Sequence, residues 1–66
     1  MKRVYQVRPV DSYRYILIAA DTVGEATYLL SKYIKSNNLY MDYLPKPTLF
    51  TNMYYEGESG VLYDNF

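Results

Sequence analysis

The 66-residue chain has no cysteine, no histidine and no tryptophan, and only three glycines. Without cysteine it forms neither a disulfide nor a thiolate zinc site. Without histidine it lacks the commonest general base and the commonest neutral metal ligand. Together these absences exclude Ser-His, Cys-His and His-metal chemistry. Net charge is missing as well, since seven Lys and Arg balance seven Asp and Glu. Long apolar runs are also absent. The longest, Ile16-Leu17-Ile18-Ala19-Ala20, is far shorter than a membrane span and follows Arg14 rather than sitting in an N-terminal signal arrangement. The expectation is a soluble, cytoplasmic protein with no export signal.

The length allows one domain, residues 1–66, with one modest core. A chain of this size buries only about 60% of the surface its unfolded form exposes, a thin margin over the entropy of ordering it. With no disulfide or metal to add stability, oligomerisation or a partner is expected.

What the chain has in excess is tyrosine, ten of them beside two phenylalanines. A tyrosine ring with its polar tip suits half-buried positions and interfaces better than a dry core. Strand formation and rim filling explain the excess as well as interface enrichment does, and both readings stay open.

Residues 3–10 alternate with the period of a strand, Asp11-Ser12 signals a turn, and residues 13–20 resume as a second strand. An even connection sets Val7 opposite Ile16 and Tyr5 opposite Ile18, gathering Tyr5, Val7, Ile16, Ile18 and Ala20 on a core face. The other face carries Val4, Gln6, Arg8, Val10, Tyr13, Tyr15, Leu17 and Ala19, too apolar for open water and too polar for an interior, and is the leading contact surface. Pro9 places the end of the first strand at an edge or a bulge.

Thr22-Val23-Gly24-Glu25 matches a capping box, with Asp21 able to cap one residue earlier. The helix is expected over residues 22–37, with Val23, Ala26, Leu29, Leu30, Tyr33 and Ile34 inward and Thr27, Ser31, Lys32 and Lys35 outward. Asn37-Asn38 is its stop. Residues 39–47 are apolar but hold Pro45 and Pro47, which predicts an ordered connection crossing the domain or an exposed arm awaiting a partner. Residues 48–55 and 61–64 read as a hairpin around Glu56-Gly57-Glu58-Ser59-Gly60. Its expected pairs, Tyr55 with Val61 and Met53 with Tyr63, put Leu49, Met53, Tyr55, Val61 and Tyr63 on one side and Phe50, Asn52, Tyr54, Leu62 and Asp64 on the other. The order is β-β-α-β-β, an α+β domain with one helix packed on one face of an antiparallel sheet.

Chemistry is sparse. Glu56 and Glu58 flank a glycine, but calcium binding needs further oxygen ligands at fixed spacing that do not follow. Gly57-Glu58-Ser59-Gly60 has the spacing of a phosphate-clamping loop, yet is acidic and lies between strands. The four serines have no histidine to activate them. A non-enzyme without a cofactor is expected. Residues 1–35 carry six Lys and Arg against three Asp and Glu, and residues 36–66 one against four, so the two halves are plus three and minus three. Ordinary surface charge whose separation disappears on folding is the preferred explanation; the functional alternative is a two-ended surface that pairs basic end to acidic end in a dimer.

Three functions follow. The favoured one is a non-catalytic protein-binding module, an inhibitor or adaptor of the sort phages encode against host defences, acting through the tyrosine-rich sheet face and the 39–47 arm. Its candidate contact residues are Arg8, Tyr13, Tyr15, Leu17, Tyr40 and Tyr43. The second is a homo-oligomer, a dimer, that sequesters a nucleotide between stacking tyrosines and arginines. The third is a single-stranded nucleic-acid binder using Arg8, Tyr13 and Tyr15, disfavoured by zero net charge and a sequence pI of about 6.1.

Overall fold

Period-two alternation and one 3.6-residue stripe build five elements. The computed structural model describes residues 1–9, 12–41 and 43–65. Within them β1 (Lys2–Val7), β2 (Ile16–Ala20), α1 (Val23–Ser36), β3 (Thr48–Tyr55) and β4 (Gly60–Asp64) follow in chain order. The strands form one antiparallel sheet in the spatial order β3-β1-β2-β4. β2 and β3 therefore run the same way with β1 between them, a split β-α-β unit.

The central hairpin has the expected register, Tyr5 opposite Ile18 and Val7 opposite Ile16. Its strands are shorter than expected. β1 stops at Val7, before Pro9, and β2 starts only at Ile16, so Tyr13 lies in the connection rather than in the sheet. Val10 and Asp11, expected on the outer face and in the turn, lie outside the described residues.

α1 packs against β2 and β4. Val7, Ile16, Ile18 and Ala20 from the sheet and Ala26 and Leu30 from the helix make the buried core, bordered by Tyr5, Leu29, Tyr33, Ile34, Leu39, Met41 and Val61. Val23, expected inward, is 40% exposed because it opens the first turn, ahead of where the helix reaches the sheet. Thr22 is the N-cap, its hydroxyl accepting the Glu25 N–H at 3.1 Å. Glu25 reaches back one residue further than expected and accepts the Asp21 N–H at 2.7 Å. Asp21 does not cap; its carboxylate pairs with the Lys2 ammonium at 2.8 Å. Asn38 takes the left-handed conformation, φ 52°, in which asparagine is tolerated, and the Leu39 N–H donates to the Ile34 carbonyl to close the helix. Beyond it Leu39 and Met41 border the core and Pro45 and Pro47 are buried, so residues 39–47 form an ordered connection, with Asp42 outside the described residues.

The expected second hairpin does not form. β3 pairs with β1, and β4 pairs with β2, at opposite edges of the sheet. The physical reason is burial: separated strands put the most apolar pair, β1 and β2, in the middle of the sheet and leave the more exposed β3 and β4 at its two edges. Residues 56–59 therefore cross the end of the central hairpin, about 14 Å for three strand spacings, which requires a nearly extended link. Two glycines suit that path. Gly60 enters β4 at φ 154°, a conformation that side chains rarely adopt, and a Cβ on Gly57 would meet the Tyr55 ring at 2.3 Å.

Separation also reassigns faces. Leu49 joins Tyr5 and Val61 joins Ile18 on the helix side, while Tyr63 joins Leu17 and Tyr55 joins Lys2 on the open side. The changes of parity are made by two bulges. Leu62 is extra in β4, and residues 50–53 of β3 stand against Val4 alone.

Two predictions follow from this core. Ile18→Ser places a hydroxyl in the buried core, and its helix signal and cooperative melting are expected to be lost, whereas Leu17→Ser, on the open face, keeps both in circular dichroism. The second concerns Tyr33, whose hydroxyl donates to Asp64 on β4 at 2.5 Å. That bond, with burial and the Asp64 charge, holds the phenol pKa above its ordinary value near 10. The stabilisation is complete below the ordinary value and is lost as pH rises through the raised one. Tyr33→Phe is expected to cost about 1 to 3 kcal/mol at neutral pH in denaturant titrations, and the gap to wild type should close above about pH 10.

Candidate functional site

An antiparallel sheet with one face in water normally presents polar residues there. Across the helix-free face of this sheet the register sets rows: Arg8 beside Tyr15, then Thr48, Gln6, Leu17 and Tyr63, then Val4, Ala19 and Gly60, and Lys2 with Tyr55 at the far end. Most of these are apolar or aromatic. Val4 and Ala19 are buried although the helix lies on the other side, and their same-face neighbours Lys2, Gln6 and Leu17 are all longer. Tyr63 remains 46% exposed.

At one end of this face the Arg8 guanidinium carbon lies 5.5 Å over the Tyr15 ring, and the Tyr15 and Tyr63 rings are tilted together with centroids 5.3 Å apart. The stack is held from β4, where Asn65 accepts the Tyr15 N–H through its side chain at 2.7 Å and returns its own N–H to the Tyr15 carbonyl. Arg8 has no ion-pair partner among the described residues. At the opposite end Lys2 and Asp21 form an exposed ion pair, worth little in itself. The hydrogen bond from Asp21, then the charges of Asp21, Glu25 and Glu58, hold the Lys2 ammonium above its ordinary pKa, against desolvation that lowers it. Glu58 lies in the 56–59 link that crosses this end of the sheet, and its neighbour Ser59 turns to the helix and donates to Glu25 at 3.2 Å.

Folding mixes the charges of the two halves and sorts them anew. The start of β1, the end of β2, the end of β3 and the start of β4 meet at one end of the sheet, carrying Asp21, Glu25, Glu56 and Glu58 with Lys2 and Arg3. Arg8, Arg14 and Lys46 follow or precede the opposite strand ends, where the helix also arrives with Tyr33 on Asp64 and Lys35 in its last turn. Among the described residues one end is acidic and the other basic.

The six sequence-derived contact residues divide into separate places. Arg8, Tyr15 and Leu17 share the helix-free face, and Tyr13 projects from the β1–β2 connection, 96% exposed. Tyr40 and Tyr43 lie on the arm instead. There Tyr40 and Leu44 help line an open groove of about 510 Å³ with Ser31, Ile34 and Lys35 of the helix. Sequence reasoning missed Tyr63 as part of the face, because only the β2–β4 pairing and its bulge turn it there. It also missed Phe50 and Met53, exposed on the β3 bulge, for which the two-residue alternation gave no signal. Among the described residues no group of three or more acidic side chains is placed to hold a metal ion. Among the described residues no helix is long and apolar enough to cross a membrane. Compared with known proteins, the chain matches no family model, no curated protein and no solved structure.

Proposed function

We propose that this chain is a non-catalytic binding protein, an inhibitor or adaptor, that meets a protein partner through the helix-free sheet face. The observation that carries this reading is the composition of that face. Tyr15, Leu17, Tyr55 and Tyr63 occupy positions where an open antiparallel sheet carries polar side chains, and Arg8 supplies a cation with no ion-pair partner among the described residues at the margin. Tyrosine and arginine are the side chains that most often anchor interfaces. The groove beside Tyr40 and Leu44 offers a second, smaller contact.

Nucleotide sequestration draws on the same Arg8, Tyr15 and Tyr63, with a ring to stack and a guanidinium for phosphate. Here, however, the two rings already pack on one another and the guanidinium lies over one of them. A protein surface is accommodated with that stack intact, whereas an inserted base has to open it. The discriminating measurement is affinity capture from lysate of the source cells, run beside a thermal-shift panel of nucleotides. Wild type is expected to retain a stoichiometric protein that a Tyr15→Ser, Leu17→Ser double variant loses while keeping its helix signal, with no nucleotide shifting the melting temperature. Capture indifferent to the double variant, or a nucleotide-dependent shift abolished by Tyr15→Ser, overturns this reading.

A further inference from the structure

The helix-free face carries its own complement. Arg8 stands at one end of it without a carboxylate partner among the described residues, and the 56–59 link carries Glu58 across the other end, where Lys2 pairs with Asp21. Between them lie Val4, Leu17, Ala19 and Tyr63, with Gln6 the polar exception on the central pair. A face with apolar residues in the middle and opposite charges at its two ends matches itself after a half-turn. We propose that the occupant of this face is a second copy of the chain, stacked sheet on sheet with the strands of the two copies running in opposite directions, so that Arg8 of each copy meets Glu58 of the other.

The proposal rests on the reading that this face is the contact surface, and it adds what covers the face, and in which direction, while no foreign partner is bound; the second copy and the foreign partner compete for it. Direction follows from charge. Two equivalent sheets stack face to face about a two-fold axis lying in the plane between them, and that axis runs either along the strands or across them. An axis along the strands sets Arg8 near Arg8 and Glu58 near Glu58, and like charges brought together are costly. An axis across the strands brings each Arg8 to the acidic end of its partner, twice per dimer. Leu17 then falls near the centre with Tyr63 beside it on the edge strand, and contact with the partner takes their exposed area from water. The helices lie on the two outer surfaces, and the arm grooves remain open.

A charge swap tests both the occupant and the direction, read as mass in solution by sedimentation and native mass spectrometry. Wild type is expected to be dimeric at tens of micromolar, a range set by about −6 to −7 kcal/mol of association free energy. Arg8→Glu alone and Glu58→Lys alone should each weaken self-association about tenfold or more, since each confronts like charges at both contacts. An equimolar mixture of the two variants should recover dimer, specifically the mixed species, because both of its contacts are again of opposite sign. Both substitutions are at exposed positions, and circular dichroism of each variant verifies the fold. A wild type that stays monomeric at about 100 μM overturns the proposal. So does a dimer whose mass neither variant changes, or a mixture that forms no mixed species. A monomer that still captures a foreign protein through Tyr15 and Leu17 overturns the self-pairing alone and leaves the contact face standing.

Discussion

The register of the β1–β2 hairpin is the constraint on which the rest depends. Because strand side chains alternate sides, pairing Tyr5 with Ile18 and Val7 with Ile16 commits Ile16, Ile18 and Ala20 to the helix and Val4, Leu17 and Ala19 to the opposite face. A slip of one residue would exchange the two sets. The helix can cover only one of them, and Ala26 and Leu30 settle on the face with the isoleucines.

The flanking strands follow from the same hairpin. Two paired strands leave two unsatisfied edges, and β3 and β4 each take one. The link between them must cross the end of the sheet, which brings Glu56 and Glu58 to the end where Lys2 pairs with Asp21, and Ser59 onto Glu25. The acidic end of the molecule is therefore a by-product of how the edges are closed. At the opposite end β4 delivers Asp64 to Tyr33 and Asn65 to Tyr15, so one short strand anchors the helix on one side of the sheet and the aromatic stack on the other.

These arrangements connect stability to function. The one-sided core is small, and the chain keeps a second, partly apolar face that its single helix cannot reach. A small domain gains from covering such a face. The proposed contact surface and the need for additional burial thus have one origin, a single helix for two sheet faces.

By itself the sequence determined the local features: strand alternation across Tyr5, Val7, Ile16 and Ile18, the Thr22 cap, the helix stripe and the asparagine stop. Each depends on residues close in the chain or on a hairpin whose two faces differ in polarity. It also singled out Arg8, Tyr15 and Leu17 as neighbours, since they sit on that hairpin. Tertiary structure alone decided where β3 and β4 pair, because 48–55 and 60–64 are apolar on both sides and match a local hairpin as well as two remote edges. The central placement of the apolar β1–β2 pair settled it, a comparison between whole arrangements that no local pattern contains. The bulge at Leu62 that turns Tyr63 to the open face, and the crossing that carries Glu58 to the Lys2 end of the sheet, follow from that pairing.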